Sequence, residues 1–331
     1  MNAEAGRRLD VEHTHTETEL FHRTWYPVAL ADTVASNGVV GANFSNGRVV
    51  VWRKENGEIS VFSAYCRHMG ADLSLAEPMD GKLRCLFHHW SYDESGQCAD
   101  IPCANSVPGS ANLFQYPAEE KHGLIWVFNG ESPEFPVAEL ADEADTEVIS
   151  EARYMGHIKC PAWVLKLNTL DVQHTRALHN QDIVEYPNIS LNDNGVMDFD
   201  YVVRDKKIGL FSVTGHYFGP NCIALAGTME SGALNYVVSA GTPVPQGGHD
   251  LFVSLGIPLT CNGVSMSREE GEEHLANLWT LYLRLFDEDL EIINSMRFRF
   301  DHLIGEDKYM KRVADYAKAF PIGNPGSAFI S

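Results

Sequence analysis

The sequence predicts an α+β chain of two domains, a β-rich first part and a second part in which a mostly antiparallel sheet is closed by a long C-terminal helix. Three observations carry this. Strand-like runs at 48–52 and 59–63 flank Glu55-Asn56-Gly57-Glu58, and Asn-Gly between apolar runs is a strong hairpin signal. Five alternating runs, 199–204, 209–216, 222–226, 234–240 and 250–257, read as successive strands. From residue 268 to about 298 the apolar spacing turns helical.

Length and charge bound the class. At 331 residues the chain is long enough for two cores. The net charge of −20 argues against nucleic acid and anionic membrane faces, which need a basic surface. No apolar run approaches the ~18 residues of a membrane span. The first twenty residues are polar and acidic without an apolar export core, and seven cysteines are too few and too odd for a disulfide scaffold. A cytoplasmic protein is expected.

In chain order, residues 1–20 read as a leader and 21–135 as the first domain, opening with Trp25-Tyr26-Pro27-Val28. A second hairpin is expected over 83–92 with a turn at Asp93-Glu94-Ser95-Gly96, and another strand at 124–128. The acidic, Pro-bearing stretch 130–147 marks the boundary, and 136–331 form the second domain. Each hairpin signal adjoins a Cys/His pair. Cys66 and His68, then Cys85 and His88, give C-x-H, sixteen residues, and C-x2-H. Two thiolates and two imidazoles on neighbouring β-loops could hold zinc, although a one-residue gap is not the usual zinc-finger spacing. The arrangement resembles a Rieske [2Fe–2S] site, in which two cysteines bind one iron and two histidines the other. Cys98 and Cys103 read as free thiols.

The middle of the chain, Asn168 to His179, places Asp171, His174 and His179 within nine positions. Two imidazoles beside a carboxylate suit ferrous iron. On a regular helix the two histidines would point roughly 140° apart, so their convergence needs the helix to end or bulge between them, for instance at a π-turn. Asp171, three residues before His174, shares its face and is placed to take its free ring N–H. Asn168 either hydrogen-bonds within the site or caps the helix. Late in the chain, Asp289 falls within roughly 60° of Tyr282, Leu285, Phe286, Ile292, Ile293 and Met296 on a helical wheel, whereas Asp287, Glu288 and Glu291 lie about 100° or more away. An acid on an apolar face needs a partner, either a cation or an inward arginine. Leu178, Ile183, Val184, Phe211, His216, Phe218 and Leu225 are either walls of a pocket for an aromatic or alicyclic molecule or plain sheet core.

Taken together, C-x-H…C-x2-H, then N-x2-D-x2-H-x4-H, then an inward Glu-Asp resemble the Rieske non-haem iron oxygenases, of the short α-only type typified by vanillate and dicamba monooxygenases. The second loop departs from that family's usual Cys-Pro-Tyr-His-Gly-Trp: Leu86, Phe87 and His89 replace Pro, Tyr and Gly, which bears on the cluster potential. Ala71 and Phe87 stand where respiratory-chain Rieske proteins carry an extra disulfide. The resemblance implies a Rieske β-domain followed by a helix-grip (START-like) catalytic domain. It implies Cys66, His68, Cys85 and His88 as cluster ligands, and His174, His179 and Asp289 as a triad for mononuclear Fe(II). Asp171 then links His88 of a neighbouring chain to His174 in a head-to-tail homotrimer. Electrons derive from NAD(P)H through a flavin reductase, with or without a ferredoxin, and O2 is the co-substrate. Hydroxylation or oxidative demethylation of a small molecule is the expected reaction. The alternatives are cis-dihydroxylation and, from another class, a Rieske electron carrier or START-like binding protein.

Overall fold

The computed structural model describes residues 21–140, 146–261, 263–299 and 301–330; the expected leader over 1–20 lies outside them, as do residues 141–145 of the acidic boundary stretch.

The first half is built from β1 (Trp25–Leu30), β2 (Gly38–Phe44), β3 (Gly47–Arg53), β4 (Ile59–Ser63), β5 (Glu77–Met79), β6 (Lys82–Arg84), β7 (Ser91–Tyr92), β8 (Cys98–Asp100), β9 (Gln115–Tyr116), β10 (Ala118–Lys121) and β11 (Leu124–Phe128). They form three small antiparallel sheets, ordered β1-β11-β10, β2-β3-β4-β9 and β5-β6-β7-β8. The Asn-Gly signal closes the β3–β4 hairpin: Gly57 N–H donates to Lys54 O at 3.0 Å with Gly57 at φ +88°, a conformation that favours glycine. The expected second hairpin is β6 paired with β7, and the 93–96 turn joins β7 to β8.

The second half is a seven-stranded antiparallel sheet of β12 (Val148–Ile158), β13 (Asp182–Leu191), β14 (Met197–Asp205), β15 (Gly209–Tyr217), β16 (Cys222–Met229), β17 (Leu234–Pro243) and β18 (His249–Pro258), in the order β12-β18-β17-β16-β15-β14-β13. The five strands expected from alternation are the five inner ones. The two edges, β12 and β13, are additions, and their half-exposed patterns, with Glu151, Arg153, Glu185 and Pro187, hid them. Between the edges in sequence lie α1 (Ala162–Leu167), a 3-10 turn (Asn168–Leu170) and α2 (Val172–Ala177). The long helix α3 (Arg268–Ser295) starts on a capping box, Ser267 with Glu270, and packs across β12 and β18 through Leu275, Trp279 and Ile293. Helix α4 (Lys308–Ala319) packs on the same sheet face nearer β14, with Met310, Val313 and Ala314 in one cluster with Met197, Val213 and Ile223.

The halves share a core. Trp25, Trp126 and Phe128 pack with Phe218, Ala224 and Phe252. Asn221 Nδ2 donates to Trp25 O at 2.9 Å, fixing β1 to the second sheet. The C-terminal tail returns to the first half, where Asn129 Nδ2 donates to Gly323 O at 2.6 Å and Phe329 meets Phe114. No helix among the described residues is long and apolar enough to cross a membrane.

Candidate active site

The two Cys/His loops of the first half are built alike. Cys66 N–H donates to Ala71 O, five residues on, and Cys66 O accepts from Gly70 N–H; Cys85 N–H donates to Trp90 O, and Cys85 O accepts from His89 N–H, all between 2.9 and 3.0 Å. The residue that closes each turn is left-handed, Gly70 at φ +74° and His89 at φ +60°. His89 thus occupies the left-handed backbone position that glycine fills in the first loop. His68 and His88 converge, with ring centroids 4.5 Å apart, and His68 stacks on Trp90 at 4.7 Å.

Both sulfurs are buried and both imidazoles are exposed. Burial pushes the Cys66 thiol up, so a positive partner is needed to hold it as thiolate. Tyr92 is an addition to the expected residues. Its hydroxyl oxygen accepts from Arg67 N–H at 3.1 Å, which leaves its own O–H to meet Cys66 Sγ at 3.1 Å. Two sheltered sulfurs facing two outward imidazoles fit a Rieske cluster. Around them Met69, Leu86 and Phe87 are exposed apolar side chains. Cys98 and Cys103 are free thiols.

In the second half, the mid-chain helix ends between the two histidines rather than bulging. Asp171 is the N-cap of α2, and its Oδ1 accepts from the amides of Gln173 at 3.1 Å and His174 at 3.0 Å. The described bonds of this carboxylate therefore go to backbone, where the sequence had it orienting the His174 ring. Past Ala177 the chain turns, with Gln181 N–H on Thr175 O and Asn180 at φ +54°. His179, beyond the helix, swings back to meet His174, the ring centroids 4.6 Å apart and perpendicular. Asn168 opens the 3-10 turn after α1, so it caps neither following helix, and it lines the cavity described below.

Asp289 comes from α3 to complete the group. Its Oδ1 lies 3.3 Å from His174 Nε2 and 3.4 Å from His179 Nε2, and candidate ligand atoms of the three all fall within 4.8 Å of one another. That oxygen is buried without a hydrogen-bond partner, and no arginine pairs with Asp289 among the described residues. Glu288, which the helical wheel turned away from this face, reaches it by its longer side chain. Its Oε2 accepts from His179 Nδ1 at 2.9 Å, while Oε1 takes Arg284 Nη1 at 3.2 Å. Its signal was visible only as the i,i+4 pair Arg284 and Glu288. Burial lowers the His174 pKa, with Asp289 opposing. Burial also works against protonation of His179, but Asp289 and Glu288 outweigh it and hold that imidazole above its ordinary value. Ile292 and Met296, expected on the buried face, are 47% and 43% exposed, and Ile293 is the residue of that last turn that enters the core.

The triad opens on a cavity of about 270 Å3 between the inner sheet face, α1 and α3. Phe211 and Leu225 line it. Leu178, Ile183, Val184, His216 and Phe218 are outside its lining. Val184 is exposed on the edge strand β13, Phe218 belongs to the core shared by the halves, and His216 Nδ1 pairs across strands with Asp198 Oδ1 at 2.7 Å. Thr169, Tyr201, Tyr282 and Phe286 are wall residues that the sequence had not suggested.

Comparison with known proteins bears on both halves. The Rieske [2Fe-2S] domain family matches residues 24–117. Among curated proteins, the chain is 36% identical over 134 residues to the oxygenase component of 3-ketosteroid-9-alpha-monooxygenase from Rhodococcus rhodochrous, covering 40% of this chain and 34% of that protein. It is 32% identical over 165 residues to aminopyrrolnitrin oxygenase PrnD from Pseudomonas fluorescens, covering 47% and 45%. The matched stretches thus span a third to a half of those relatives. Among solved structures, dicamba monooxygenase bound to dicamba superimposes with a TM-score of 0.72 at 17% identity, over 90% of this chain and 97% of that one. NdmA of Pseudomonas putida CBB5 with caffeine gives 0.69 at 22%, over 89% of each. At these identities the structural likeness speaks for the fold.

Proposed function

We propose that the protein is the terminal oxygenase of a multicomponent system, hydroxylating or oxidatively demethylating a small aromatic or alicyclic molecule. The observation that carries this is Asp289 Oδ1, a buried carboxylate oxygen without a hydrogen bond, facing two imidazole nitrogens at 3.3 and 3.4 Å. Such an arrangement of two nitrogens and one oxygen at a half-buried site fits Fe(II). When bound there, the ion supplies open positions for O2 activation beside the substrate.

The chain's own groups prepare that chemistry. Glu288 fixes His179 with its proton on Nδ1 and its Nε2 free to ligate. Asp171 holds the first turn of α2, and so the backbone of His174, in place. The apolar walls orient a substrate and exclude water. In the first half, Cys66, His68, Cys85 and His88 hold the [2Fe–2S] cluster with its histidines facing outward. Exposed Met69, Leu86 and Phe87 around them suit a docking surface, both for an NAD(P)H-dependent flavin reductase or ferredoxin and for the next chain of a homotrimer. In that trimer Asp171 would sit between His88 of the neighbour and His174. Relatives whose names or structures concern a ketosteroid, dicamba and caffeine support a compact ring substrate.

Iron counting on anaerobically purified protein tests the reading. Three irons per chain, falling to two in His174→Ala and in Asp289→Ala with the reduced-cluster EPR signal kept, is the expected result. Two irons per chain, unchanged by either substitution, would leave an electron carrier or binding protein.

A further inference from the structure

Lys166, the fifth residue of α1, is 2% exposed and lines the cavity described above. Its Nζ donates to Ser239 Oγ at 2.6 Å. Ser239 shares the inner face of β17 with Val237, and both border the cavity, as does Tyr282, whose hydroxyl also meets Ser239. Among the described residues no carboxylate lies within ion-pair distance of this ammonium. The groups it senses are Cys222, Cys160 and His249. Burial pushes the two thiols up to about 12 and about 11 and takes His249 down to about 3, so all three are neutral at pH 7. Burial lowers Lys166 itself only to about 8, which leaves it mostly charged at neutral pH.

A lysine head has three N–H donors, and a buried charge is costly unless paired. Here one neutral hydroxyl accepts one donor, in a cavity whose other walls are largely apolar. Asp289, the acid on the cavity wall, is already opposed to the two histidines. The site therefore presents an apolar chamber with one uncompensated cation.

We propose that Lys166, with Ser239, is the anchor for a carboxylate on the substrate, so that this enzyme takes an apolar ring compound bearing one acid group. The inference rests on the cavity being the substrate pocket of the oxygenase. It makes Lys166 a specificity-determining residue that the metal triad does not require.

The test is calorimetric titration of the iron-loaded protein with naphthalene-2-carboxylate and with its neutral counterpart, naphthalene-2-carboxamide, for wild type and Lys166→Met. Iron is counted in the same samples. Wild type is expected to bind the acid at least about tenfold more tightly than the amide, and K166M to bring that ratio close to one. A ratio near one in wild type, failure of both probes to bind, or a ratio unchanged in K166M would overturn the proposal. Should K166M not fold, the wild-type ratio measured at pH 7 and pH 9 decides instead, since an anchoring ammonium must lose its preference as it deprotonates. Three irons without a preference for the acid would remove the anchor and leave the oxygenase. A preference for the acid with two irons would remove the oxygenase and leave an acid-binding pocket.

Discussion

Glu288 Oε2 sits 2.9 Å from Nδ1 of His179, on the opposite side of the ring from the nitrogen that faces Asp289. Adjacent residues of one helix thus address both nitrogens of one imidazole. Glu288 selects the tautomer, and under the proposed function Asp289 shares the metal. Removing the acceptor should lower iron affinity by about 10- to 100-fold, the usual effect of losing a partner behind a metal-bound histidine. Glu288→Ala should lose iron to a chelator under which wild type retains it, with unchanged circular dichroism. Retention equal to wild type would mean that Glu288 does not position the ligand.

Asp171 caps α2 and, in the proposed trimer, also bridges two subunits, and the two tasks are separable. Its Oδ1 caps α2, and Asp171→Ala should cost about 0.5–2 kcal/mol, read as a lower melting temperature. Asp171→Asn keeps a capping oxygen and should melt near wild type, yet lose the charge proposed to lie between subunits. Cluster reoxidation in single-turnover mixing with O2 and substrate should then slow markedly. Equal reoxidation rates in D171N and wild type would leave Asp171 a helix cap alone.

The Tyr92 hydroxyl meets a sulfur that carries more negative charge when the cluster is reduced, so its hydrogen bond favours the reduced state. Tyr92→Phe should lower the reduction potential. A bond of about 1 kcal/mol converts to roughly 40 mV for a one-electron couple. Potentiometric titration followed by visible circular dichroism measures it, and an unchanged or raised potential would contradict this role.

The charge on Lys166 gives acid binding a predictable pH profile. Its pKa, lowered to about 8 by burial, means that the protonated form dominates below pH 8 and fades above it. Cys160, Cys222 and His249, the groups it senses, do not titrate between pH 7 and 9. Affinity for a carboxylate should fall about tenfold from pH 7 to pH 9, while affinity for the amide stays level. Titrations at the two pH values check this, and a parallel fall for both ligands would place the cause elsewhere.

Much of this architecture was legible because it depends on local pattern. The inner strands alternate, the hairpins carry Asn-Gly and Asp-x-x-Gly, and the cysteines and histidines cluster at loop spacings. What escaped depended on side-chain reach and strand parity. Phe211 and Val213 line the cavity from β15, so His216, of opposite parity, faces away. Ile183 and Val184 lie where β13 slips register at the sheet edge, which erases the alternation that would have placed them. Glu288 failed on a helical wheel because a wheel records where the Cβ points, whereas a glutamate carboxylate extends three bonds further. Nothing in the spacing around Lys166 marks it as buried, because its place in the cavity wall depends on its packing against Ser239 of β17.

The ending of α2 between His174 and His179 has a thermodynamic side. His179 stands on a turn with no helix to hold it, and its counterpart Asp289 lies more than a hundred positions further along the chain. An ion bound between them would act as a removable cross-link closing a loop of that length. Loops so long are entropically expensive to close, and ligation of the folded form alone shifts the folding equilibrium toward it. Loss of the ion should therefore be felt first as fraying of the turn at 178–181, so that the order of this part of the cavity wall would follow iron occupancy.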